Sequence, residues 1–105
     1  MATMLKQLTA QNLTSAGTAQ RVSSTSILCQ YVKITALSAN TGATYVGNSA
    51  VSSANSAPIA AGSSVEFFAP AAPGGGADDI DLKELYWDSA TTGNDIYVTY
   101  MQRTN

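Results

Sequence analysis

Apolar and polar residues alternate in several short stretches of the chain, and this period of two predicts β-strands. The clearest stretch covers residues 30–37, where Val32, Ile34 and Ala36 share one face and the residues between them share the other. Residues 95–102 alternate in the same way. Both stretches therefore predict strands with one face in a core and the other toward solvent.

Shorter β-rich stretches recur between turn signals of Gly, Asn and Pro. Further strands are predicted at 5–13, 18–23, 44–46, 64–69 and 85–88. Residues 49–63 are rich in Ser, Ala and Asn and predict a long loop. About seven or eight short strands in 105 residues are typical of an antiparallel β-sandwich or jelly roll. At this length we expect one domain spanning residues 1–105.

The pattern of Asp81 and Glu84 matches a capping box. Asp81 is expected to accept the amide of Glu84, whose side chain reaches back to the cap. This predicts one short helical or 3₁₀ turn near Asp81–Leu85, with Leu82 and Leu85 directed toward the core.

Residues 1–16 are polar and weakly patterned, which favours an extended N-terminal arm that faces a partner. They contain no continuous apolar run, so they predict neither a signal peptide nor a membrane helix. We therefore expect synthesis and assembly in a cytoplasm, with no membrane as partner.

Charged residues make up only 11% of the chain, and the net charge is −2, against about 25% charged residues in a typical soluble domain. The basic residues are scattered, at Lys6, Arg21, Lys33, Lys83 and Arg103. No basic stripe is available to neutralise a row of phosphates, so we expect no nucleic-acid partner. A weakly charged surface suits contact with another protein or another copy, but it also suits a neutral soluble domain.

The residue types needed for most enzyme chemistry are missing. The chain contains no histidine and one cysteine, Cys29. This excludes imidazole acid–base catalysis, Ser–His or Cys–His nucleophiles and a multi-cysteine zinc site within one chain. Cys29 is predicted to be a buried small hydrophobe. We expect a non-enzymatic protein without a cofactor.

One acidic cluster, Asp78, Asp79 and Asp81, offers carboxylates that could bind calcium. Its spacing does not fit the helix–loop–helix calcium pattern, which needs alternating ligands, a central glycine and a distal glutamate. A solvated loop that caps a helical turn is the favoured interpretation, and metal binding by these three residues is the alternative.

Four residues are candidates for contact with a partner, namely Leu5, Leu8, Tyr45 and Trp87. Tyr45 with Tyr31, and Trp87 with its neighbour Tyr86, are candidates for an aromatic carbohydrate platform. The favoured interpretation is that these aromatic side chains anchor the core or a subunit contact, and the platform is the alternative.

Six short segments with characteristic turn or strand sequences follow one another along the chain. They are Ile34–Leu37, Asn40–Gly42, Tyr45–Gly47, Ala61–Gly62, Asp81–Leu82 and Ile96–Tyr100. With an opening hairpin at residues 14–24, this pattern resembles a family of small bacteriophage virion structural proteins. The resemblance covers nearly the whole chain, and it is carried by turns and strands rather than by a catalytic fingerprint.

The resemblance implies a capsid decoration, or cement, protein that binds the head surface. The implied partners are the major capsid protein and further copies of the chain, as a trimer or dimer. The implied location is the capsid surface of a virion that is assembled in the host cytoplasm. The alternative is a tail or head-fibre accessory module that binds a host-surface glycan or another virion protein.

Overall fold

The computed structural model describes residues 3–69 and 79–103. Its strands are β1 Thr3–Gln7, β2 Gln11–Asn12, β3 Gln20–Arg21, β4 Leu28–Cys29, β5 Tyr31–Ala36, β6 Thr44–Gly47, β7 Ser64–Phe68, β8 Ile80–Asp81, β9 Tyr86–Ser89 and β10 Asp95–Arg103. All strand pairs are antiparallel. Within these ranges the helical element is a 3₁₀ turn, Leu82–Glu84. The predicted all-β class is confirmed.

The strands form two main sheets and a small ladder. The larger sheet has the order β1-β10-β5-β7, and β2 also pairs with β10. The smaller sheet has the order β3-β9-β6, and β4 pairs with β8. The long strand β10 is therefore central to the larger sheet, where it pairs with β1 and β2 on one side and β5 on the other.

One hydrophobic cluster lies between the two sheets. Its buried members are Leu13, Val22, Cys29, Val32, Ile34, Leu82, Trp87, Ile96, Val98 and Tyr100. Along β5 every second residue is buried, so the alternation predicted for this strand is confirmed. The members come from both main sheets and from the segments between them, which gives the fold its sandwich character.

Trp87 is the largest fully buried side chain of this core. Its indole nitrogen donates to Gln11 Oε1 at 3.2 Å. The one polar atom of the buried ring therefore has a hydrogen-bond partner. Complete burial of an apolar side chain contributes roughly 1.5–3 kcal/mol to stability. Trp87 therefore ties β9 of the smaller sheet to β2, which pairs with β10 in the larger sheet.

Two asparagines close one end of the sandwich with polar contacts. Asn94 is buried, and its amide nitrogen donates to Thr41 O at 2.8 Å and to Ser89 Oγ at 2.7 Å. Its amide oxygen accepts from Thr41 N at 3.0 Å. Asn40 forms a similar pair of bonds with the backbone of Asp95. Both amides bond the turn after β5 to the start of β10.

The predicted loop at 49–63 contains no named strand and is confirmed as a connection between β6 and β7. Val51 is buried within it. The backbone of Ile59 exchanges hydrogen bonds of 2.8 and 3.0 Å with Thr44. The loop is therefore held against the smaller sheet at two points.

The N-terminal segment corrects two predictions. Residues 3–12 are not an extended arm, because β1 and β2 both pair with β10. The single strand expected at 5–13 is divided into these two strands, and Leu13 enters the core with 0% exposure. Pairing with β10 satisfies backbone groups that an arm would leave in solvent, and the burial of Leu13 fixes the end of the segment.

Asp81 caps the 3₁₀ turn, as the sequence predicts, but with a different donor. Its side chain accepts from Lys83 N at 3.0 Å, rather than from the amide of Glu84. A 3₁₀ turn is tighter than an α-helical turn, so an earlier amide reaches the cap. Leu82 is buried and Leu85 packs against the core, which confirms the inward direction of both leucines.

Candidate binding face of the larger sheet

The larger sheet has one face in the core and an outer face on the opposite side. None of the outer side chains described for β1, β10, β5 and β7 is buried. On β5 and β10, these are the residues that alternate with the core residues. The outer face is thus a regular four-stranded surface that is accessible in the described part of the chain.

Four apolar side chains cross this face in a single row. Cross-strand partners in antiparallel sheets point to the same side, and the register places Leu5 opposite Met101, Met101 opposite Tyr31, and Tyr31 opposite Phe68. Leu5 is 62% exposed and Phe68 is 70% exposed. With neighbouring strands about 4.8 Å apart, the four Cα positions span about 14 Å. This set is called the outer row below.

The aromatic end of the outer row is held in place by two contacts. The rings of Tyr31 and Phe68 lie 5.0 Å apart at an angle of 55°, a tilted arrangement that aromatic pairs favour. The Tyr31 hydroxyl donates to Glu66 Oε2. This hydrogen bond to a carboxylate raises the pKa of Tyr31 and orients its ring beside Phe68.

Polar residues border the outer row. The next row across the sheet consists of Gln7, Thr99, Lys33 and Glu66. Beyond it Tyr97 is 52% exposed and touches two shallow depressions of about 300 and 330 Å³. The face therefore combines an apolar row with a polar margin on one side of it, and protein-binding surfaces likewise combine apolar and polar parts.

A second concave surface lies where the sandwich is open between β6 and β7. This groove of about 540 Å³ has an apolar wall that includes Val46, Pro58, Ile59, Val65 and Phe67. Val65 and Phe67 are on the core face of β7 but are only half-buried, because β7 ends its sheet. No described charged side chain lines this groove.

The residues predicted to contact a partner do not converge. Leu5 lies on the outer row, whereas Leu8 is half-buried and packs against the core. Tyr45 is half-buried on the smaller sheet, and its neighbour Val46 packs against the core. Trp87 has 0% exposure, which confirms the favoured core role and shows that its candidacy as a contact residue is wrong. The aromatic pairs proposed from sequence therefore do not form a platform.

The acidic residues are used for local structure. Asp78 lies outside the described residues. Asp79 is exposed and accepts from the Gln30 side chain. Asp81 accepts from Ser26 Oγ at 2.7 Å and from the backbone amides of Ile27 and Lys83. The bond from Ser26, with the two amides, lowers the pKa of Asp81. Among residues 3–69 and 79–103, no group of three possible metal ligands is assembled.

Sequence reasoning missed Met101 and Phe68 as members of a binding face. Phe68 carries a sequence signal, since it stands on the same side of β7 as Glu66 and thus away from the core. The sequence does not show which strands are neighbours in the sheet. Only the strand order and register place Leu5 of β1 in the same row as Phe68 of β7.

No helix in the described ranges has the length and apolar character needed to cross a membrane. Comparison of the chain with known protein families, curated proteins and solved structures gave no match.

Proposed function

We propose that this protein is a non-enzymatic structural component that coats a larger protein assembly, most specifically a bacteriophage capsid, and that it docks through the outer row. The observation that carries the proposal is the outer row itself, which crosses all four main strands of the larger sheet and is exposed at both ends, at Leu5 and Phe68, and half-buried between them.

The outer row favours a protein partner for a physical reason. The core is formed on the opposite face of the larger sheet, so the apolar patch on the outer face does not belong to it. Contiguous apolar patches on a surface mark interaction sites. Covering Leu5 and Phe68 removes apolar surface from water at roughly 25 cal/mol per Å². Gln7 and Lys33, in the next row, supply hydrogen-bond donors at the margin of the contact.

A capsid is the specific partner proposed because of the virion-protein resemblance in the strand and turn signatures. A shell repeats the same binding site many times, so a small subunit with one modest contact can cover it densely. Low charge, 11% of residues, permits close approach of neighbouring copies on that shell, because their mutual repulsion is weak.

The test is co-sedimentation of the purified protein with capsids that lack it. Phe68→Lys places a charge at the most exposed apolar side chain of the outer row, at its aromatic end, and we expect it to weaken capsid binding at least 10-fold. Ala54→Lys makes the same charge change at an exposed position of the 49–63 loop and should bind like the parent protein. Unchanged binding of Phe68→Lys would remove the outer row from the proposal.

A tail or head-fibre module that binds a host-surface glycan is the second candidate. Tyr97 favours it, because this exposed ring touches depressions lined by polar side chains such as Lys33, Thr35 and Ser38. Sugars stack on exposed rings while nearby polar groups bond their hydroxyls. A glycan array should then give signals that Tyr97→Ala abolishes and Phe68→Lys leaves intact. A blank array with folded protein contradicts this candidate.

A further inference from the structure

Strand β1 ends the larger sheet and leaves a row of backbone groups unpaired by that sheet. Leu8 N donates to Val98 O at 3.0 Å, and Gln7 is opposite Thr99 in the register. Backbone bonding alternates along an antiparallel strand, so Lys6 and Met4 also bond to β10. The N–H and C=O groups of Thr3, Leu5 and Gln7 therefore point to the edge of the sheet, where no strand of residues 3–69 and 79–103 pairs with them.

A second copy of β1 fits this edge. In an antiparallel pair centred on Leu5, the two Leu5 residues are opposite each other and Thr3 is opposite Gln7. The open backbone groups at these positions would form about six hydrogen bonds between the strands. Met4 would be opposite Lys6, whose methylene stem can cover it while the ammonium group stays in water. No like charges oppose each other.

The other open edge of the larger sheet is less suited to a second copy. Ala69 N donates to Gln30 O and Ala36 N to Ser63 O, both at 2.9 Å. By the same alternation, Ser64, Glu66 and Phe68 of β7 direct their backbone groups outward. A symmetric pair centred on β7 would place two Glu66 carboxylates opposite each other, which is destabilising. The electrostatics thus favour β1 over β7.

We propose that two copies of this chain pair through β1, antiparallel and centred on Leu5, and that their larger sheets join into one continuous sheet. The two-fold axis would place the Leu5 end of one outer row against the Leu5 end of the other. The outer rows would then form one apolar line across both copies, with Phe68 at each end. This inference rests on strand geometry alone and does not require a capsid.

The pairing would also give a shell-binding protein two docking rows on one rigid body. Engaging the first row would hold the second near the surface, so the dimer would bind more tightly than either copy alone. Isologous dimers of this type close on themselves and leave no further β1 edge open.

The experiment measures mass by analytical ultracentrifugation and amide exchange by NMR over a range of concentrations. A dimer is expected, with the Leu5 and Gln7 amides protected only at concentrations where it forms. The Lys6 amide, which bonds within the chain, should be protected throughout. Leu5→Lys places two ammonium groups opposite each other and should abolish the dimer. Gln7→Pro removes an edge N–H without touching the bonds to β10 and should weaken the dimer at least 10-fold.

Phe68→Lys is the matched control, because it changes the same face far from the proposed axis and should leave the dimer intact. A protein that is monomeric at every concentration, or whose Leu5 and Gln7 amides always exchange freely, overturns the proposal. A dimer that Phe68→Lys dissociates and Gln7→Pro spares also overturns it, because the contact would then lie on the sheet face. Capsid binding is scored separately, so either proposal can fail alone.

Discussion

The two faces of the larger sheet use the same strands for different purposes. On β5, Ile34 has 0% exposure and packs in the core, while the adjacent Lys33 lies on the outer face. The core face is closed by the smaller sheet, whereas the outer face carries an apolar row that nothing in the described ranges covers. A sheet needs only one apolar face to fold, so the row on the second face is not required for folding, and this supports the partner contact proposed above.

The largest expected effect is a difference in unfolding free energy between substitutions on the core face and on the outer face of β5. Ile34→Ala should lower the free energy of unfolding by about 2–5 kcal/mol, since it leaves a cavity in the core. Lys33→Ala, one residue away on the outer face, should change it by no more than about 0.5 kcal/mol. Denaturant unfolding followed by the fluorescence of Trp87, the single tryptophan, gives both values. Equal losses would mean that the outer face is also packed.

The polar end of the core should respond almost as strongly. Asn94→Ala leaves the backbone groups of Thr41 and the Ser89 hydroxyl without their buried partner. We expect a loss of about 2–3 kcal/mol, because unsatisfied buried polar groups cost about 1–3 kcal/mol each. Asn48→Ala, at an exposed position, is the control and should cost well under half as much. If the two losses were similar, the amide bonds of Asn94 would have no special part in closing the core.

The thiol of Cys29 tests how well the core face is sealed. Cys29 is buried, and burial raises its pKa from 9.0 to about 11. At pH 8 this lowers the thiolate fraction about 100-fold. Reaction with a disulfide reagent should therefore be slow in the folded protein and fast in denaturant. A thiol that reacts at the rate of a free cysteine without denaturant would contradict the sealed core face.

The smallest expected effect concerns acid stability at the rim of the core. The pKa of Asp81 is lowered in the folded state, so the stability that its carboxylate contributes is present above its unfolded pKa of about 3.8 and is lost as pH falls through the folded value. Asp81→Asn should reduce the difference in urea midpoint between pH 6 and pH 3. Glu84→Gln, on the same 3₁₀ turn, is the control. An unaltered pH dependence in Asp81→Asn would mean that its bonds contribute little.

The sequence alone determined the class of fold and much of the core. The alternation in residues 30–37 and 95–102 identified the strands β5 and β10. Successive side chains of a strand point to opposite faces of a sheet, so alternating apolar residues indicate a strand with one buried face. The absence of histidine removed whole classes of chemistry. Leu82 and Leu85 were placed correctly, since a capped turn after Asp81 directs both leucines the same way.

Only the tertiary structure decided strand order, register and the candidate site. Leu5 and Phe68 are 63 positions apart, and alternation in each strand says nothing about which strands are neighbours. Long-range pairing with β10 also converted the expected N-terminal arm into β1 and β2, because a free strand edge can satisfy the backbone of an otherwise weak segment. For Trp87 the sequence left both a core role and a surface role open, and its 0% exposure decided for the core. The local pattern shows which face of a strand a side chain lies on, but only the packing between sheets shows whether that face is covered.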